Sequence, residues 1–122
     1  MSDKVKIILD KNADILRLPA IALRGLVVFP GNMIHFEVGR KKSIAAIEWA
    51  MNNNNAVFLI TQRDMDVEEP SYKDMYPYGV VAEIKQILRV SDDLVKVLVE
   101  GKYRAKLLTV DTTGRFLLAA TK

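Results

Sequence analysis

From Val80 to the last residues the chain alternates apolar and polar side chains with a period of two, and short turn signals cut that alternation into consecutive strands. Val95, Val97 and Val99 point one way while Lys96 and Glu100 point the other, the pattern of a sheet with one wet face and a tightly specified register. The pattern predicts strands over Val80–Val90, Leu94–Glu100 and, past Gly101, Lys102–Val110. The turns between and after them are Ser91-Asp92-Asp93 and Asp111-Thr112-Thr113-Gly114, the latter leading into a strand from Arg115 to Ala120. Hairpins of this kind leave an apolar face that something else in the chain must cover.

The first eighty residues supply the cover. In Ile15–Arg24, Leu16, Leu18, Ala20 and Ala22 face away from Arg17, Pro19, Ile21 and Leu23, and Pro19 argues for an edge strand because it has no N–H to donate. Leu26-Val27-Val28-Phe29 runs into Pro30-Gly31, a tight-turn dipeptide, and a short strand from Met33 to Val38 follows. From Arg40 the period changes. Ile44, Ile47 and Met51, flanked by Ala46 and Ala50, form one helical stripe, stopped by Asn52 to Asn55. Ala56–Thr61 is a continuous apolar run, as in the buried centre of a sheet. Gln62–Tyr78 has neither period and reads as a long loop of the kind that often carries function. The expected fold is mainly β (α+β), a small antiparallel pseudo-barrel with one packed α-helix near residues 40–53. Residues 15–122 are expected to form one domain behind a mobile N-terminal segment, 1–14.

Composition narrows the chemistry. Half of the 122 residues are hydrophobic, enough for one core, and there is no cysteine, so neither disulfides nor thiolate metal sites occur. The apolar runs are too short for a secretory signal or a membrane-spanning helix, which fits a soluble, cytoplasmic chain. The single histidine, His35, lies in a strand, and Ser43, Ser71 and Ser91 sit in no nucleophile motif, so no catalytic residue is assigned. Asp64, Asp66, Glu68 and Glu69 lack the glycine turn and terminal glutamate of a calcium loop, and no metal site is assigned. No glycine-rich phosphate loop is present, although Gly39 with Arg40, Lys41 and Lys42 at the helix start is suited to an anion. No cofactor is expected. A net charge of +3 is too mild to indicate a nucleic-acid partner. A basic face built on Lys102, Arg104 and Lys106, with Lys85, Arg89 and Lys96 as neighbours, reads as solvated. The adaptable apolar side chains fall elsewhere. Phe29 and Met33 flank the Pro30-Gly31 turn, and Met65, Tyr72, Met75 and Tyr76 lie in the long loop; these six are the candidate contacts for a protein partner.

Three blocks then carry a family resemblance: Leu18-Pro19-Ala20-Ile21-Ala22-Leu23-Arg24, Val27-Val28-Phe29-Pro30-Gly31 and Val38-Gly39-Arg40-Lys41-Lys42-Ser43-Ile44. They resemble, in order and spacing, the opening of the amino-terminal, substrate-recognition domain of Lon-type ATP-dependent proteases. Tyr78-Gly79-Val80-Val81-Ala82 and the stretch from Val95 to Ala105 resemble the same family's central hairpin. His35, Asn32 and Glu37 make the Met33–Val38 strand more polar than is usual there. The resemblance implies a PUA-like pseudo-barrel that captures unfolded or degron-bearing proteins and helps assemble a hexameric ring. The helical region, the ATPase with its ATP and magnesium, and the Ser–Lys peptidase domain would lie outside this piece. The other readings are an RNA-binding β-domain and a purely oligomerising module.

Overall fold

The computed structural model describes residues 15–122, and the expectation placed on residues 1–14 lies outside them. The elements are β1 (Leu16–Leu23), β2 (Met33–Val38), α1 (Lys41–Met51), β3 (Ala56–Thr61), β4 (Tyr78–Ser91), β5 (Leu94–Asp111) and β6 (Leu117–Thr121), with a 3-10 turn over Tyr72–Asp74. The strands run in the order β2-β5-β4-β3-β1-β6, and β5 pairs with β6 as well, so the sheet closes on itself into a ring with β2 attached outside it. All pairings are antiparallel except β1 with β3, and the connection between those two carries α1. This is the mainly β pseudo-barrel with one helix that the alternation predicts.

The sheet buries both of its faces. On β1, Leu18, Ala20 and Ala22 enter one core with Phe58, Ile60, Val81, Ala105, Leu107 and Ala119. Ile21 and Leu23 enter the other, with Val57, Leu59, Ile84 and the valines Val95, Val97 and Val99. The second core is capped by α1 through Ala46, Ile47 and Ala50, the stripe read from the sequence. The asparagines end the helix as expected. The N–H of Asn52 still bonds to the Glu48 carbonyl, Asn53 Nδ2 donates to the Trp49 carbonyl, and Asn55 takes the left-handed φ of 63° that turns the chain into β3. With β4 on one side and β1 on the other, β3 is central, and its continuous apolar run serves both cores.

Three expectations are corrected. Pro19 does not mark an edge strand, because β1 lies between β3 and β6. The proline is tolerated because the β3 register begins only at Ala20, leaving Leu16–Pro19 paired with β6 alone. Gly101 does not separate two strands. It lies inside the 18-residue β5, opposite Ala82, and marks a close approach rather than a turn. The strict alternation that would give Lys102, Arg104 and Lys106 a face of their own, with Tyr103 on the opposite one, also fails. The register steps from Val81↔Tyr103 to Ala82↔Gly101, which makes Lys102 a bulge residue, and Lys102, Tyr103 and Arg104 are all exposed.

A Cβ on Gly101 would lie 2.5 Å from the Phe29 carbonyl oxygen and 3.2 Å from Val80 Cγ1, so the segment carrying Phe29 can cross β5 only over a glycine. Gly101→Ala is expected to cost about 1–3 kcal/mol in urea denaturation. Gly114→Ala, whose nearest contact would be an ordinary 3.7 Å to the Phe116 carbonyl oxygen, should stay within about 0.5 kcal/mol of the parent.

Candidate functional site

Between β1 and β2 the chain forms a strap from Arg24 to Asn32. It enters at Gly25 (φ 68°) and leaves at Gly31 (φ 88°), conformations that favour glycine. The turn is closed by Asn32 N–H to the Phe29 carbonyl (3.0 Å) and by Asn32 Oδ1 accepting from the Phe29 N–H (3.2 Å). Gly31 N–H then donates to the Gly101 carbonyl (2.8 Å), and Gly101 N–H donates to the Asn32 carbonyl (2.9 Å). At the other end Thr61 Oγ1 donates to the Leu26 carbonyl (2.8 Å). Val28, 4% exposed, plugs the strap into the core under α1, so its neighbours Val27 and Phe29 must point out and are 54% and 59% exposed. The result is a pair of large apolar side chains held in water by a fixed backbone.

A groove of about 150 Å³ runs beside the strap, bordered by Val27, Phe29, Tyr78 and Arg104 over β3 and β4. The Arg104 guanidinium sits 5.5 Å from the centre of the Tyr78 ring, which is itself half exposed. Such a surface offers apolar area, an aromatic face and one fixed cation, but no nucleophile and base.

Of the six predicted contacts, Phe29 borders this groove. Met33 is 58% exposed at the start of β2, and Met65, also exposed, approaches the strap at Gly25. Tyr72 is exposed on the 3-10 turn, and Tyr76 is exposed beneath Arg63, 5.2 Å from its ring centre. Met75 is not on the surface. The end of the long loop runs back along β3, with an isolated bridge between Gln62 and Met75 and Tyr76 N–H bonded to the Thr61 carbonyl. That path turns Met75, 2% exposed, into the core beside Leu18 and Phe58. The six contacts read from the sequence do not include Val27, Tyr78 or Arg104, which border the groove. The alternation of Val27, Val28 and Phe29 before a proline–glycine turn was the available signal for the first.

Half of the basic face, Lys85, Arg89 and Lys102, is paired with carboxylates. Glu83 and Glu100 stand directly opposite one another across β4 and β5, a costly like-charge pair on its own. Lys85 and Lys102, each the extra residue at a register shift, bridge both: Lys85 Nζ lies 3.2 and 3.3 Å from Glu83 and Glu100, and Lys102 Nζ lies 3.4 and 3.2 Å from them. Arg89 pairs with Glu48 of α1 at 2.8 Å. Hydrogen bonds from Lys85 and Lys102 hold the Glu83 carboxyl below its ordinary value, bonds from Lys102 and Lys85 do the same for Glu100, and both ammonium groups are held above theirs.

The fold is that of Lon N-terminal domains. Solved structures that share it include the N-terminal domain of Mycobacterium avium complex Lon protease (TM-score 0.68, 19% identity, covering 87% of this chain and 53% of that one) and a Lon N-terminal domain protein from Xanthomonas campestris (TM-score 0.65, 15% identity, covering 87% and 57%). The chain belongs to the family described as the ATP-dependent protease La (LON) substrate-binding domain, whose profile matches residues 17–122. It is 53% identical over 90 residues to the Lon protease of Clostridium acetobutylicum (74% of this chain, 12% of the relative), and 49% identical over 96 residues to that of Desulforamulus reducens (79% and 12%). The Lon protease of Haemophilus influenzae is 46% identical over 94 residues (77% and 12%). The chain therefore spans about 12% of the length of these relatives. Among the described residues, no helix is long and apolar enough to cross a membrane.

The carboxylate–lysine quartet predicts a pH response. Because the folded pKa values of Glu83 and Glu100 are depressed, their stabilisation is present above the unfolded value and is lost as pH falls through the folded one. Carboxyl carbon NMR titration should place both midpoints below the ordinary glutamate value of 4.5, and Lys102→Met should move both upward.

Proposed function

We propose that this chain captures unfolded or degron-bearing proteins for an ATP-dependent serine protease and takes no part in the chemistry itself. In this reading ATP, magnesium and the Ser–Lys peptidase site belong to other regions of the parent enzyme, which works in the cytoplasm as a homo-hexamer. The observation that carries it is the strap. Val27 and Phe29 are more than half exposed although their backbone is pinned at both ends, and Tyr78 and Arg104 continue the surface across a groove. Unfolded chains differ from folded ones in the apolar side chains they expose, so a preorganised apolar and aromatic surface selects them at little entropic cost. Each contact is weak, and several copies in a ring would raise the avidity.

The RNA-binding reading is disfavoured by the quartet, which leaves Lys85 and Lys102 bound to carboxylates instead of free for phosphates. A role in assembly has one observation of its own. Leu88 and Val90, 58% and 51% exposed, stand at the far end of the β4–β5 hairpin, away from the strap in the chain's path, and suit contact with a second subunit.

Fluorescence titration with a permanently unfolded protein, its folded counterpart and a short RNA tests the proposal at low and moderate salt. Selective binding of the unfolded protein that persists with salt is expected. Phe29→Ala should weaken it about three- to tenfold with little change in Tm, since the side chain is mostly in water. Equal affinity for the folded protein, or binding of RNA alone, would overturn the reading.

A further inference from the structure

A second cavity lies on the other side of the strap. It has a volume of about 450 Å³, within the roughly 300–1,000 Å³ range of ligand sites, and lies between the ends of β1 and β2 and the start of α1. Two strand edges border it. β2 ends the strand order and pairs only with β5, and β1 loses its β6 partner after Ala20, so the β6 side of Ile21–Leu23 has no paired strand. The walls between these edges are apolar, from Ile21, Leu23, Leu26, Phe36 and Val38. An extended chain laid here would find backbone partners on its edges and apolar surface for its side chains.

The cavity ends at groups that call for an anion. The first helical bond of α1 is Ile44 N–H to the Arg40 carbonyl (3.0 Å), no side chain caps the helix, and no acid lies in its first turn. The N–H groups of Lys41, Lys42 and Ser43 are left without helical partners. Ser43, only 5% exposed, lines the cavity, and its hydroxyl has no hydrogen-bond partner among the described residues. Arg24 and Arg40 line it too, and neither forms an ion pair among the described residues. Burial, with the repulsion of Arg24, pulls the Arg40 guanidinium below its ordinary value, and the attraction of Glu68 offsets this only in part. Arg40 is held from behind by Gln62, a 2% exposed amide that accepts from Nη2 and donates to the Asp64 and Val67 carbonyls. Glu37 also borders the cavity, but it is exposed and alternates with the inward-facing Phe36 and Val38.

We infer that this cleft binds the carboxyl terminus of an extended apolar polypeptide, with the terminal carboxylate at Arg24, Arg40, Ser43 and the free N–H groups of α1, and the last side chains between β1 and β2. A phosphate would meet the same cations but would have no use for the apolar walls or the two strand edges. The inference rests on the recognition reading above and sharpens it: clients would be taken both by exposed apolar segments at the strap and by apolar chain ends at the cleft.

The test uses an N-terminally labelled pentapeptide ending in two leucines, as the free acid and as the C-terminal amide, titrated into the chain by fluorescence anisotropy. The acid should bind about tenfold or more tightly than the amide. Arg24→Gln, at an exposed position, and Ser43→Ala, a small helix-compatible change, should each shrink that difference while thermal melts stay close to the parent. If acid and amide are indistinguishable while the unfolded protein still binds in a Phe29-dependent way, the carboxylate inference is wrong and the recognition reading stands. If the unfolded protein fails to bind as well, both fall.

Discussion

The structure depends on a single strand. β5 pairs with β2 over Val95–Glu100, with β4 from Leu94 to Lys106 and with β6 from Leu107 onward, so it joins every wall of the ring but β1 and β3. No straight strand of 18 residues can do this, and the chain bends it with register shifts at Lys102 and between Leu107 and Thr109. Closure then brings the two ends of the described segment together, with Leu16 opposite Thr121 and Thr121 Oγ1 donating to the Leu16 carbonyl at 2.9 Å. Contacts this distant in sequence come at the cost of loop-closure entropy, offset here by two buried cores rather than one.

The same bends make the surface. The bulge at Lys102 places a lysine where it can bridge two opposed glutamates, so the feature that curls the sheet also offsets their repulsion. Gly101 beside it gives the Phe29 carbonyl room to cross β5, which turns the segment before β2 into a fixed strap. That strap borders both cavities: Arg24 and Leu26 face the cleft toward α1, while Val27 and Phe29 face the groove toward β4.

Period and punctuation made most of the fold legible. The two faces of β1, the helix stripe at Ala46, Ile47 and Ala50, the asparagine stop and the central place of β3 all follow from side-chain spacing, because each element buries the face its pattern defines. What failed was set by tertiary neighbours. Gly101 resembles a break until the strap above it is known, Pro19 resembles an edge until the staggered pairing of β1 is known, and Met75 resembles a surface methionine until the loop's return along β3 turns it inward. The proposed surface was legible in part: Phe29 is a candidate read from its turn, whereas Tyr78 and Arg104 border the same groove only because β4 and β5 meet beside the strap.

The most direct test of this account is NMR chemical-shift mapping of the chain on titration with an unfolded protein. The account predicts the largest amide shifts along Val27–Phe29, at Tyr78 and at Arg104. Shifts concentrated instead at Leu88 and Val90, or on the Lys85–Lys102 quartet, would contradict it and move client recognition to a different face of the ring.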